Sequence, residues 1–173
     1  MDSKTIQAQL HEKHDAFIRL VMDLNEEDFC RKPNEKWSAG EQMAHIYLSV
    51  KPLRQALALP KFLPKLLFGQ ANRPGRSYDE LVSKYNEKLA QGGRASGGYV
   101  PKPVSYNERN KLCSNLTHEI NRLEKKINRF SESDLDRYIL PHPLLGKLSI
   151  REMLYFTIYH VQHHIELTSN NLK

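Results

Sequence analysis

The sequence is short of most features that mark a specialised class. Two cysteines in 173 residues, Cys30 and Cys113, are too few and too far apart for a disulfide framework, and neither belongs to a Cys-x-x-Cys pair. That usage fits a reducing compartment, so a cytoplasmic protein is expected. No apolar run approaches the roughly 20 residues that a membrane helix needs. The greasiest stretch, Phe62-Leu63-Pro64-Lys65-Leu66-Leu67-Phe68, is short and interrupted. The N-terminal Met1-Asp2-Ser3-Lys4-Thr5 has no apolar core of the signal-peptide kind. Alternating strand patterns are scarce as well; only Arg137 to Leu148 could hold a small irregular hairpin. The formal charge of +6 is spread along the chain without a basic block interleaved with aromatics, so neither a nucleic-acid nor a membrane partner is expected.

What is present is globular and helical. Hydrophobic residues make up 39% and charged residues 27%, enough apolar content to build a core and too much for a disordered chain. The length suits one domain, 1–173. Ile6, Leu10, Phe17, Leu20, Val21 and Leu24 recur at three- and four-residue spacings, the pattern of an amphipathic helix. Asn25 and Pro33-Asn34 mark a connection. Ser38-Ala39-Gly40-Glu41 then reads as a capping box, in which the Ser hydroxyl accepts from an orphan amide and the Glu reaches back to the cap residue. The second helix should run from Ala39 to about Leu59, with Pro52 kinking it or ending its regular part.

The box recurs at Ser77/Glu80, Ser105/Glu108 and Ser149/Glu152, each before a stretch of helical periodicity. The Ser77 helix is short and stops near Gly92-Gly93. The Ser105 helix carries Leu112, Leu116, Ile120, Leu123, Ile127 and Phe130 on one stripe. The last helix begins at Ile150. The expected fold is therefore all-α, a four-helix bundle with a long helical and loop insertion between helices two and three, over about 60–104. Such a connection is far longer than a simple turn and could cross the bundle.

Chemistry is suggested by histidines. His160 and His164 are four apart on the last helix, so their Cβ atoms lie roughly 6 Å apart on one face. Chance gives about 0.4 such pairs in a chain of this composition, so the spacing alone is weak. The surroundings strengthen it, because two imidazoles on an apolar helix need partners once buried. A metal ion would satisfy them; so would hydrogen bonds to Tyr, Thr or carboxylate groups. His45, on the second helix among apolar neighbours, could complete a three-imidazole site of the type that leaves positions open for water or substrate. Glu41, one turn before His45, could orient it or act as a base, although its capping role explains it equally well.

Two blocks resemble a known family. Trp37-Ser38-Ala39-Gly40-Glu41-Gln42-Met43-Ala44-His45-Ile46 is similar to the second-helix motif of the DinB-like superfamily, where a Trp-Ser start leads to a His two turns on. The run from His142-Pro143 through Gly146 to Ser149, followed by Tyr159-His160-Val161-Gln162-His163-His164, resembles that family's last loop and last helix. The resemblance implies a four-helix bundle holding a divalent transition metal, zinc or nickel, on residues matching His45, His160 and His164. It also implies a homodimer, a small-molecule substrate, and a reaction of the thiol-transferase or hydrolase type. Members of the first type use low-molecular-weight bacterial thiols such as bacillithiol or mycothiol. The alternative is a non-catalytic metal- or small-ligand-binding bundle of stress response.

Remaining candidates have plainer readings. His163 projects about 100° away from His164 and is a flank. His14 sits on the first helix's apolar stripe, as a core histidine or near the site. Trp37 reads as a core anchor and His142 as a turn residue or part of a pocket mouth. Arg73, Arg76 and Arg94 belong to a solvated loop or meet an anionic thiol. Neither cysteine is near the histidine motifs, so a thiolate route would use an external thiol.

Overall fold

The computed structural model describes residues 1–173, with the side chain of Glu35 left aside. Eight helices and one hairpin follow in order: α1 (Ser3–Met22), α2 (Glu26–Cys30), α3 (Ala39–Ala58), α4 (Phe62–Phe68), α5 (Tyr78–Ala90), α6 (Arg109–Ile127), α7 (Glu132–Arg137), β1 (Ile139–His142), β2 (Gly146–Ser149) and α8 (Ile150–Asn171). Short 3-10 turns lie between some of them. The fold is all-α, with α1, α3, α6 and α8 as its four-helix core. They form a closed ring of neighbours: α1 packs on α6, α6 on α3, α3 on α8 and α8 on α1.

The periodic residues fill the centre of that ring. Ile6, Leu10, Phe17 and Val21 from α1 are buried against Leu116, Ile120, Leu123 and Ile127 from α6. The caps form as the spacing predicts. Ser38 Oγ accepts from the Glu41 amide and Glu41 Oε2 accepts from the Ser38 amide at 2.9 Å, and the same reciprocal pair closes at Ser77/Glu80 and Ser149/Glu152. At Ser105/Glu108 the box closes a 3-10 turn, Tyr106–Glu108, and α6 follows from Arg109.

Four features depart from the sequence expectation or refine it. The α3 helix runs through Pro52 to Ala58, so the proline does not end its regular part. The short helices α2, α4 and α7 occupy stretches that hydrophobic periodicity did not mark. For α7 a capping box was legible, Ser131 with Asp134 in place of Glu. The hairpin is real and regular, pairing Ile139 with Ser149 and His142 with Gly146, and Gly146 closes it at φ +76°, a conformation that favours glycine. The long insertion does not separate its flanking helices, because α3 and α6 pack extensively together. No described helix is long and apolar enough to cross a membrane.

Candidate metal centre

Residues from α3 and α8 meet at one end of the α3–α8 interface. His45, His160 and His164 are buried, each about 5% exposed or less. One ring nitrogen from each lies within 4.8 Å of the others, a group able to hold a metal ion. His160 Nε2 is 3.1 Å from both His45 Nε2 and His164 Nε2.

The backbone and a carboxamide dictate which nitrogens converge. His45 Nδ1 donates to the Tyr99 carbonyl at 2.7 Å, so its Nε2 carries a lone pair. His164 Nδ1 donates to the Gln42 side-chain oxygen, which leaves its Nε2 with a lone pair as well. His160 Nε2 therefore faces two acceptors and carries at most one proton, so hydrogen bonds alone leave at least one of these close contacts unsatisfied. A cation resolves the conflict. Two imidazole nitrogens bound to one ion at about 2.0–2.1 Å, with angles between a right angle and tetrahedral, stand about 2.9–3.4 Å apart, and both separations from His160 fall in that range. The donor set fits a divalent transition metal.

Electrostatics point the same way. Burial, then the mutual repulsion of neighbouring rings, pushes the His160 and His164 imidazoles well below their ordinary range. Burial also lowers His45, against the opposing pull of the Tyr99 carbonyl. All three are held neutral, the form in which imidazole ligates.

The first turn of α3 is shaped around this cluster. Trp37 lies over it, its ring stacked on His164 with centroids 6.4 Å apart and tilted against His45 at 4.9 Å. Gly40 admits the Phe29 ring: a Cβ there would sit 2.6 Å from it. Glu41 spends its oxygens on the Ser38 amide and on Lys32 Nζ, the latter at 2.6 Å. It has no hydrogen bond to the three histidines among the described contacts. The groups that do orient them, Gln42 and the Tyr99 carbonyl, were not singled out from the sequence. Gln42 could have been, since it lies three residues before His45 on the same helix.

A cavity of about 290 Å³ opens beside the cluster, and His45 and His160 both line it. Its walls are chiefly apolar and come from three sources: the bundle (Val50, Leu53, Phe156), the insertion (Tyr85, Leu89, Tyr99) and the hairpin (Leu140, Pro143, Leu144). His14 and His142 also line it, and Arg94 stands at its exposed rim. Arg73 and Arg76 are elsewhere, both paired with the buried Glu152. His163 flanks the cluster, half-buried and stacked on Tyr159. Cys30 is exposed, Cys113 is buried in α6, and neither lines the cavity.

The model of the DinB superfamily matches residues 9–167 of the chain, and the protein belongs to that superfamily. Comparison with curated proteins found no match.

Proposed function

We propose that this protein, read as one domain over 1–173, is a metal-dependent enzyme acting on a small molecule. His45, His160 and His164 would hold a divalent transition metal, zinc or nickel. The observation that carries the reading is the asymmetry of the site: His45 and His160 front a cavity, while His164 is turned toward Gln42 and Trp37. A structural site is closed on all sides, whereas this arrangement leaves one side of the cluster facing a space that a substrate could enter.

A bound ion of this kind supplies Lewis acidity, lowering the pKa of water or of a thiol at neutral pH. The protein's own residues do the rest. Tyr99 and Gln42 fix the tautomers of His45 and His164, and the apolar walls exclude bulk water. An external low-molecular-weight thiol is favoured over a protein thiol for transfer chemistry, because neither Cys30 nor Cys113 reaches the cavity. Arg94, at the rim without an ion pair among the described residues, suits the anionic part of such a molecule. Glu41 would serve the site as the cap of α3; work as a base would need an oxygen freed from Lys32. Exposed Phe62, Leu66 and Leu67 on α4 give the chain an apolar face that supports a homodimer.

Elemental analysis of untagged wild type beside His45→Ala and His160→Ala tests the reading. Near-stoichiometric metal in the wild type, lost from both variants, is expected. No retained metal after supplementation, with the variants indistinguishable from wild type, would sink it.

A further inference from the structure

Trp37 is the chain's single tryptophan. Among the described residues the aromatic rings it meets are two imidazoles of the metal centre. His45 is tilted against it with centroids 4.9 Å apart, and His164 is stacked on it at 6.4 Å, within 16° of parallel. Trp37 is half-buried, and neither it nor His164 lines the cavity. The indole thus lies against the cluster outside the space that a substrate could enter.

The backbone at Trp37 is anchored without help from the imidazoles. Its carbonyl accepts from Asn171 Nδ2 at 3.2 Å, at the end of α8, and the next residue, Ser38, caps α3. His160 has a different neighbour, the Phe156 ring, stacked at 4.7 Å and 25°. Each of the three imidazoles therefore has a carbon ring against it, and two of them share the indole. An aromatic face carries negative potential, and that of indole attracts cations best. A neutral imidazole responds to it weakly. An imidazole that ligates a divalent ion takes up a share of positive charge, and its attraction to the indole grows.

We propose that Trp37 is a positioning residue of the metal centre: its indole, laid against His45 and His164, holds the two rings more strongly in their metal-bound than in their metal-free form, and so raises affinity for the ion. This rests on reading the three histidines as metal ligands, and it adds an electronic role to a residue whose size alone would make it a core anchor. Shape fills the space beside the cluster in either state; only the charge response distinguishes the loaded one.

Because Trp37 is the only tryptophan, biosynthetic replacement changes this one ring. The full-length protein is made with tryptophan bearing none, one, two or three ring fluorines, which nearly keep the shape and progressively drain the negative face. Zinc dissociation constants, measured by competition with a chromophoric chelator, should rise stepwise with fluorination. In Trp37→Leu the affinity should fall about two- to thirtyfold, the range of one cation–π contact. Urea midpoints of the metal-free proteins should stay level across the fluorinated series. An affinity indifferent to fluorination would overturn the proposal, as would an affinity loss matched by an equal loss of metal-free stability, which would assign the effect to packing. The fluorinated series decides even where Trp37→Leu fails to fold. Zinc content separates the two readings. Stoichiometric zinc with an affinity blind to fluorination removes this inference and leaves the metal centre standing; no zinc in any form of the protein removes both.

Discussion

Gln42 and His164 face each other across the α3–α8 interface, the carboxamide oxygen accepting from the imidazole Nδ1–H. That bond fixes the ring so that Nε2 points at His45 and His160. Groups that orient a metal-ligating histidine typically matter about 10- to 100-fold in metal affinity. Gln42→Leu keeps the side-chain volume and removes the acceptor. Zinc affinity, measured by competition with a chromophoric chelator, should fall by that factor, while circular dichroism of the metal-free protein stays unchanged. An affinity equal to wild type would show that packing alone aims His164.

Acid should destabilise the metal-free protein through His14. Burial pulls its folded-state pKa down to about 4, against about 6.5 when unfolded. Above pH 6.5 the ring is neutral in both states and its contribution is fully present. Between pH 6.5 and 4 the unfolded chain binds a proton that the folded chain refuses, so stability falls as pH falls. A shift of this size in a fully buried ring is worth on the order of 3 kcal/mol. Urea denaturation across this window, with chelator present, should show that slope in wild type and a shallower one in His14→Phe. Parallel slopes would mean that other buried histidines carry the effect.

Glu152 tethers the insertion to the bundle. It is buried at the start of α8, and its oxygens accept from Arg73 Nη1 and Nη2 at 2.8 and 2.9 Å, from the Arg76 amide and guanidinium, and from the Ser149 amide. Burial pushes its pKa up, but these donors outweigh burial and hold it below the usual range. Glu152→Gln removes the charge while leaving the two arginines, both partly exposed, able to hydrate. A loss of about 2–4 kcal/mol is expected, below the upper end for a fully buried pair. Amide hydrogen exchange should rise over 69–77 and remain low in α1 and α6. Uniform exchange across the bundle would show that the pairs stabilise the whole fold rather than the tether.

The α4 face offers a third kind of test. Leu66 is 76% exposed, beside Phe62 and Leu67. If this face joins two copies of the chain, Leu66→Glu should convert a dimer to a monomer in sedimentation equilibrium without lowering the unfolding midpoint of the monomer. A monomeric wild type at micromolar concentration would remove the dimer reading.

Much of this was legible in the sequence because the signals were local. Ser38/Glu41, Ser77/Glu80 and Ser149/Glu152 mark helix starts by bonds within four residues, and the stripe from Leu116 to Ile127 specifies a buried face by its own spacing. The three histidines come together where the motifs suggested. What could not be read depends on distant chain segments. Nothing near Tyr99 announces that its carbonyl will meet His45, 54 residues away. The pairing of Arg73 with Glu152, the full use of Glu41 by Ser38 and Lys32, and the unpartnered edge of His14 likewise follow from packing. Pro52 shows the limit from the other side, since a residue that weakens an isolated helix is carried through α3 by the burial of Val50, Leu53 and Leu57 around it.

Two of the three sources of the cavity wall, the bundle and the insertion, have different freedoms. The histidines of the metal centre stand on α3 and α8, whose positions are set by the whole bundle, so displacing them means rebuilding the core. Another part of the wall comes from residues of the long connection between α3 and α6, such as Leu89, Ala95 and Tyr99, and most of that connection packs less deeply. Substitutions there can alter what fits without moving the reactive end. Descendants of such a scaffold could therefore exchange substrates by editing one segment, while inheriting the same chemistry intact.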